Sequence, residues 1–346
     1  MKLLTYETLW GGSPPASTRC GVLQGEHVLD VTALLGLSRT LRDVRDLLEW
    51  DDASLERVRD ALERGAPCPA VPLQQVRLRS PVLQPPTMRD FMVFEEHATA
   101  QGTRKREEAW YRLPVFYFTN TLRIFGPDDA IPYPSASTCL DYELEIGCVI
   151  RREGHDVSEA DALDHVAGFC IFNDWSCRDL QRDEVSVGLG PAKAKDFATS
   201  LGPWLVTPDE LAPLLKNGRL ELRCSVRVNG DVWLRDADAR DAHHTWGAMI
   251  ERASRDSRIV PGDVLGSGTV GGGTVAESVR KGYERARFLE PGDIVEMEVE
   301  TLGVLRGSVG PRNPAPEGYR FRAPEPVPLP ERGSARDYVY ARRPGT

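Results

Sequence analysis

The sequence predicts a β-rich α+β fold. From Asp90 onward, short runs rich in β-branched and aromatic residues alternate with Gly, Pro and Asp turn residues. Two Pro-Gly-Asp turns, at Pro261 and Pro291, each lead directly into such a run, as the positional preferences of β-turns predict. The helical patterns are short inserts, and they do not alternate with strands as in a parallel α/β sheet. We therefore expect a β-rich chain in which helices are short inserts.

Residues 1–75 predict a small N-terminal α+β domain. Apolar and polar residues follow the two-residue period of strands first and the helical period afterwards. The predicted elements are a strand at 2–7, a hairpin around 22–32, and helices within 40–50 and 53–65.

The remaining chain divides into three parts. Segment 76–89 contains several prolines that interrupt helical periodicity, so we expect a linker there. A large β-rich domain is expected at 90–322. The Pro- and Arg-rich tail 323–346 is expected to be disordered or to lie across a neighbour.

The composition excludes several classes of function. The 346 residues carry a net charge of −9 at a sequence pI near 5.4, so the chain lacks the basic field that nucleic acids require. Neither a signal peptide nor an apolar stretch of membrane-spanning length is evident, which predicts a cytoplasmic protein. Seven cysteines without C-x-x-C spacing fit reduced thiols.

One apolar strand carries unusual charge. In "CLDYELEIGCVI", residues 139–150, Asp141, Glu143 and Glu145 alternate and should share one strand face. Like charges so close repel unless a cation or water lies among them. A solvated edge strand is the ordinary alternative, but the opposite face is almost wholly apolar, which favours a cation.

Two further segments contain an aspartate together with other polar side chains. In "NDWSCRDLQ", Asp174 follows an apolar strand, and Arg178 and Gln181 should project from one side of the following helix. Asp174 could instead be a capping residue. In "RDFMVFEEH", Asp90 precedes His97 by seven residues.

These segments together resemble the fumarylacetoacetate hydrolase family, from about Phe91 to Gly310. The order E-x-E, then N-D-W-S-x-R-D-x-Q, then K-x-F is a specific signature. The segments that carry the resemblance are "RDFMVFEEH", "LPVFY", "LDYELEI", "NDWSCRDLQ", "AKDF" with the later "GPW", and "GSGTVGGGTVAESVRKG". The resemblance implies a mixed β-sandwich roll as the catalytic domain.

The resemblance also implies roles for individual residues. The four positions that match carboxylate ligands of one divalent metal are Asp90, Glu143, Glu145 and Asp174. The positions that match catalytic groups are His97 as general base, Glu277 as the acid that orients it, and Arg178, Gln181 and Lys195 as stabilisers of the oxyanion and the departing carbanion. Those that match substrate contacts are Tyr117 and Thr269. An all-carboxylate site favours Mg²⁺, with Mn²⁺ or Ca²⁺ as competitors.

Three positions depart from the family pattern or leave it open. Lys193 lies close to Lys195, so either lysine could enter the site. Met92 replaces a substrate-binding tyrosine and cannot donate the hydrogen bond that a phenol would. An arginine at 104 or 106 could hold a substrate carboxylate.

The resemblance implies a metal-dependent hydrolase that cleaves a C–C bond in a 1,3-diketo acid, of the fumarylacetoacetate or acylpyruvate type. Water activated by His97 and Glu277 would attack the metal-chelated carbonyl. The alternatives are a decarboxylase, isomerase or dehydratase that acts on a 2-oxo acid through an enolate, and a metal-stabilised binding protein without activity. The family also implies a homodimer. The G-x-G-x-x-G at 266–271 lacks the βαβ context of a dinucleotide site.

Overall fold

The computed structural model describes residues 1–9, 17–99, 105, 107–283 and 286–315. The strands within these ranges are β1 (Lys2–Thr8), β2 (Arg19–Gln24), β3 (His27–Asp30), β4 (Ala70–Pro72), β5 (Val76–Arg79), β6 (Met88–Phe91), β7 (Phe116–Phe118), β8 (Ile124–Phe125), β9 (Ala130–Tyr133), β10 (Leu140–Asp141), β11 (Leu144–Ile150), β12 (Gly154–His155), β13 (Val166–Asp174), β14 (Ser176–Cys177), β15 (Thr199–Val206), β16 (Leu215–Lys216), β17 (Arg219–Leu220), β18 (Arg223–Val228), β19 (Asp231–Asp238), β20 (Arg258–Ile259), β21 (Val264–Gly266), β22 (Ile294–Val299) and β23 (Gly303–Arg312).

The helices of the described chain are short. They are α1 (Val31–Leu34), α2 (Val44–Trp50), α3 (Ser54–Glu63), α4 (Glu95–Ala98), α5 (Glu108–Arg112), α6 (Arg178–Ser186), α7 (Pro208–Leu211), α8 (Trp246–Ser254) and α9 (Val275–Arg280), with 3-10 turns at Leu73–Gln75, Ala162–His165 and Ala239–Asp241. The β-rich α+β fold predicted from the sequence is confirmed. None of the helices in the described ranges is long and apolar enough to cross a membrane.

The larger sheet has the strand order β4-β3-β2-β1-β15-β13-β11-β21-β6-β7, with β5 beside β1 and β8 beside β15. Most neighbours are antiparallel, but β21 and β6 run parallel. A second sheet has the order β19-β18-β22-β23-β9. The described residues also form three two-stranded sheets, β10-β14, β12-β20 and β16-β17.

Strands β11 and β13 lie near the middle of the larger sheet, and every residue of both is buried. One face, with Ile146 and Ile171, packs in a core shared with the second sheet. The other face, with Val149 and Phe172, packs in a core shared with α2 and α3. Burial on both faces explains why these two strands are nearly continuous apolar runs.

The N-terminal elements are close to those expected. The predicted first strand and hairpin are β1, β2 and β3, and the predicted helices are α2 and α3. β1 pairs both with β5, which lies inside the expected linker, and with β15. The sheet therefore runs without a break from the N-terminal segment into the rest of the chain.

The division into a small domain, a linker and a large domain stays a prediction. Residues Met1–Asn313 form one compact unit. Beyond it the described chain contains only Pro314 and Ala315, so the tail predicted at 323–346 lies outside the described residues.

Candidate active site

Three carboxylates meet at one end of the larger sheet. Asp174 ends β13, Glu145 lies at the start of β11, and Asp90 lies near the end of β6. Because β11 is antiparallel to both β13 and β21, while β6 is parallel to β21, these strand ends coincide. The strand pairing therefore brings together acids that are far apart along the chain.

Glu143 joins the cluster from the residue before β11, where it forms an isolated bridge with Thr274. One carboxylate oxygen from each of Asp90, Glu143, Glu145 and Asp174 lies within 4.8 Å of the others, and all four residues are buried. The structure thus gathers the four positions that match the family's metal ligands.

A glycine makes room for this cluster. Gly266, the last residue of β21, pairs with Gly147 on one side and with Asp90 on the other. A Cβ at this position would lie 2.5 Å from Asp90 Oδ1 and 3.0 Å from Glu145 Oε2. The missing side chain leaves a notch between two carboxylates.

The electrostatics of the cluster are uneven. Burial, followed by the charge of Asp174, raises the pKa of Asp90 to about 8 from an ordinary 3.8. Burial and the Asp90 carboxylate raise the pKa of Glu145 well above its ordinary value. Burial also raises the pKa of Asp174, against the opposing charge of Lys195. Burial of several negative charges close together therefore favours the protonated carboxyls, whereas a cation among them would favour the ionised forms.

Glu143 behaves differently. Burial acts to raise its pKa, but the positive charges of Lys195 and Arg178 outweigh burial and leave the pKa below its ordinary value. Glu143 is therefore the carboxylate of the four most readily ionised in the cation-free protein.

The residues present fit a hard divalent cation. Among the described residues, Oδ1 of Asp90 and Oδ1 of Asp174 are buried and have no hydrogen-bond partner. An unsatisfied buried oxygen is costly, whereas a cation with oxygen ligands would satisfy both atoms. Four carboxylates without nitrogen or sulfur donors match Mg²⁺, Mn²⁺ or Ca²⁺ better than a softer metal.

Lys195 is the lysine that lies in the cluster. Its ammonium donates to Glu143 Oε2 at 2.6 Å and to Asp174 Oδ2, and its side chain is only 4% exposed. Tyr117 also donates to Asp174 Oδ2. Lys193 lies outside the cluster, with a side chain that is 74% exposed and binds Asp196 at 2.8 Å.

Arg178 and Gln181 lie together on α6. Arg178 Nη1 donates to Glu143 Oε1 at 2.7 Å and to Gln181 Oε1 at 2.8 Å. Arg178 Nε donates to Asp141 Oδ2 at 2.7 Å. Strand alternation predicted that Asp141 would share one face with Glu143 and Glu145. In the structure Asp141 instead binds Arg178 and is not one of the four clustered acids.

His97 and Glu277 form a pair between two short helices. His97 lies on α4 and Glu277 in the first turn of α9, and His97 Nδ1 lies 3.1 Å from Glu277 Oε1. Glu277 is buried, while the His97 side chain is 21% exposed. This arrangement places a carboxylate where it can accept a hydrogen bond from imidazole and orient the ring.

The loop between β21 and α9 contains the glycine-rich motif. Thr269 Oγ1 donates to Glu145 Oε1 at 3.3 Å, and Gly268 N donates to Glu145 Oε2 at 3.1 Å. The following helix has only six residues and lies in no βαβ unit, so the motif serves a carboxylate rather than a dinucleotide.

Substrate recognition was left open at Met92 and at positions 104 and 106, and the structure describes only the first of these. Met92 is half-buried, and its carbonyl accepts a hydrogen bond from Trp110 Nε1 at 2.8 Å. Positions 104 and 106 lie outside the described residues.

Sequence reasoning missed two contributions to the site. It treated Gly266 and Gly268 only as part of a false dinucleotide motif, and it assigned no partner to Asp141. The segment "DVLG" could have indicated the role of Gly266, because it places a glycine at the end of an apolar strand. A glycine in a strand often marks a site where another group approaches the backbone closely.

Comparisons with known proteins identify similar chains. The family model described as fumarylacetoacetate (FAA) hydrolase C-terminal matches residues 87–310. A mitochondrial oxaloacetate tautomerase of Homo sapiens is 30% identical over 269 residues, which cover 78% of this chain and 80% of the relative.

Solved structures share the fold. A protein named HpcE from Mycobacterium smegmatis is 26% identical with a TM-score of 0.69, and the match covers 90% of this chain and 100% of that chain. A maleylpyruvate hydrolase from Sphingobium sp. SYK-6, in complex with manganese (II) ion and pyruvate, is 22% identical with a TM-score of 0.67 and the same coverage.

Proposed function

Since this chain belongs to the fumarylacetoacetate hydrolase family, we propose that it is a divalent-metal-dependent enzyme that hydrolyses a C–C bond of a 1,3-diketo acid. The substrate would be of the fumarylacetoacetate or acylpyruvate type. The observation that carries this proposal is the His97–Glu277 pair, because hydrolysis requires a group that activates water.

Asp90, Glu143, Glu145 and Asp174 would hold the cation, with Mg²⁺ the first candidate and Mn²⁺ or Ca²⁺ the others. A divalent cation bound there supplies Lewis acidity for the oxygens of a dicarbonyl compound. The manganese and pyruvate named for the maleylpyruvate hydrolase of the same fold are the kinds of cation and oxo acid proposed here.

His97 takes the role of general base. The Glu277 carboxylate accepts a hydrogen bond from Nδ1, so Nδ1 carries the imidazole proton and Nε2 is free to accept another. Nε2 removes a proton from water as the water oxygen bonds to the carbonyl carbon. The C–C bond then breaks with its electron pair on the departing carbon, and the proton returns there to give two acids.

Arg178, Gln181 and Lys195 take the role of charge stabilisers. Arg178 Nη2 is buried and has no hydrogen-bond partner among the described residues, so an N–H donor remains for a developing oxyanion. Lys195 holds a positive charge beside Glu143 and Asp174, since its pKa is raised: burial acts to lower it, and the two carboxylates outweigh burial.

A second candidate is tautomerisation of a 2-oxo acid. It is favoured by the human relative, which is named an oxaloacetate tautomerase. This reaction moves a proton between carbon and oxygen and needs neither attack by water nor cleavage of a C–C bond. The same cluster and donors would serve both reactions through an enolate.

The experiment that separates these functions follows both the enol absorbance and the products. Acylpyruvates, fumarylacetoacetate and oxaloacetate are each supplied with Mg²⁺, Mn²⁺ or EDTA. The wild type is compared with His97→Ala and with His155→Ala, a control whose side chain is 65% exposed and faces Asp156. Metal-dependent release of two acids that is lost only in His97→Ala supports hydrolysis.

The other outcomes are equally distinct. Keto–enol exchange without new acids supports the tautomerase, and loss of CO₂ or water supports the other enolate reactions. Binding of cation without any turnover would favour a metal-stabilised binding protein. The homodimer implied by the family remains part of this proposal. Light scattering, which measures the molar mass in solution, tests it.

A further inference from the structure

We infer that Asp141 is a positioning residue that joins Arg178 to α9, the helix that carries Glu277. This inference rests on the proposed function, because only there do Arg178 and Glu277 have roles in a reaction. Asp141 belongs to the segment that first indicated a cation site, yet it contributes no oxygen to the four-carboxylate cluster.

Both oxygens of Asp141 are used. The residue is fully buried. Oδ1 accepts from the backbone N–H of Val275 at 2.7 Å, and Oδ2 accepts from that of Ala276 at 3.0 Å. Oδ2 also accepts from Arg178 Nε at 2.7 Å. One carboxylate therefore binds two donors from the helix and one from the guanidinium.

These bonds fix the plane of the Arg178 guanidinium. Asp141 binds Nε, and Glu143 binds Nη1 at 2.7 Å. Because the guanidinium is planar, two bonded edges determine where the remaining nitrogen, Nη2, lies. Nη2 is the donor that has no partner among the described residues. Asp141 thus sets the position of the donor that we assign to the developing charge.

The same carboxylate fixes the start of α9. The helix has six residues, too few for stability without outside contacts. Two of its first N–H groups bind Asp141, and the N–H of Glu277 binds Thr274 Oγ1 at 3.0 Å. These bonds hold the backbone of Glu277, and with it the contact between Glu277 Oε1 and His97 Nδ1.

Replacing a capping residue that only stabilises the fold has a different effect from replacing a residue that positions reacting groups. Loss of a helix cap lowers the melting temperature of the protein. A positioning residue lowers kcat while the substrate KM and the affinity for the cation stay close to wild type, because the cluster itself is unchanged.

The test is Asp141→Asn. The asparagine has the same shape, but its amide nitrogen cannot accept, so at least one of the three donors loses its partner. The matched control is Asp43→Asn. Asp43 is a buried aspartate that caps α2 through the N–H of Asp46 at 2.9 Å and also binds the N–H of Leu83 at 3.1 Å.

With the substrate that the wild type turns over best, Asp141→Asn should lower kcat about 10- to 100-fold, as for groups that orient reacting residues. Its KM and Mn²⁺ affinity should stay within about twofold of wild type. Asp43→Asn should lower only the melting temperature. If Asp141→Asn lowers the melting temperature and leaves kcat unchanged, the inference is overturned.

A second readout does not depend on turnover. In the Mg²⁺-loaded full chain, the imidazole ¹⁵N resonances of His97, assigned with His97→Ala, report its hydrogen bond to Glu277. They should shift in Asp141→Asn and not in Asp43→Asn, and unchanged resonances in Asp141→Asn would overturn the inference. If the wild type acts on no diketo or oxo acid, the proposed function fails, while these resonances still decide whether Asp141 positions α9.

Discussion

Replacing Gly266 with alanine is expected to weaken cation binding strongly while the fold is kept. The backbone at Gly266 is that of a strand and not of the left-handed region, so alanine is allowed there. What the methyl group meets is the carboxylate of Asp90, 2.5 Å away, and that of Glu145, 3.0 Å away.

The size of the effect follows from these distances. Ordinary contacts of a Cβ begin at 3.4 Å, so Asp90 Oδ1 must retreat by roughly 0.9 Å. Distances from metal to ligand tolerate about 0.2 Å, so Asp90 can no longer act as a ligand. Groups that only orient metal ligands contribute up to about 100-fold to metal affinity, or about 2.7 kcal/mol. Loss of a direct ligand, the role proposed for Asp90, should weaken Mn²⁺ binding by at least that factor.

Isothermal titration of Mn²⁺ into the metal-free protein measures this loss. Gly307→Ala is the matched control, since it also lies in a strand and its Cβ would meet Trp175 at an ordinary 3.4 Å. Circular dichroism checks that both variants fold. Wild-type Mn²⁺ affinity in a folded Gly266→Ala protein would refute a cation site between Asp90 and Glu145.

Two further predictions concern charge in the cluster. Lys195→Met should lower kcat about 100- to 1,000-fold in steady-state assays, because it removes the ammonium between Glu143 and Asp174. Lys193→Met, at an exposed side chain, should leave kcat unchanged, and equal losses in both variants would contradict the assignment. Mn²⁺ affinity should fall about 50-fold from pH 8 to pH 6, since the pKa of Asp90 is about 8, its ionised fraction falls from about one half to about one hundredth, and a carboxylate ligand must lose its proton to bind the cation. Titration calorimetry at several pH values measures this dependence, and a constant affinity would count against Asp90 as a ligand.

The fold class could be predicted because the apolar runs of β11 and β13 are local features of the sequence. Their neighbours could not, since β21 and β6 join this sheet from positions more than 50 residues away, and strand pairing leaves little trace in local composition. The continuity of the sheet through β1, β5 and β15 was hidden for the same reason.

The candidate site shows the same limit. The resemblance selected Asp90, Glu143, Glu145 and Asp174, and the structure places them together, while their role as ligands remains a prediction. Strand alternation could not separate Asp141 from Glu143, because the strand is interrupted at Tyr142, between the end of β10 and the bridge that Glu143 forms with Thr274. Spacing alone could not choose between Lys193 and Lys195, which the structure distinguishes by the burial of Lys195 and by its contacts with Glu143 and Asp174.

The contact between His97 and Glu277 joins residues 180 positions apart in the chain. The notch at Gly266 lies between Asp90 and Glu145, and both of these acids are synthesised before Gly266. A growing chain leaves the ribosome at about 5–20 residues per second, so for several seconds Asp90 and Glu145 exist without β21 between them. During that time the four acids cannot all meet as they do in the folded sheet. A cation held by all four acids would therefore bind only after β21 has joined the sheet, and a chain truncated before β21 should not bind it.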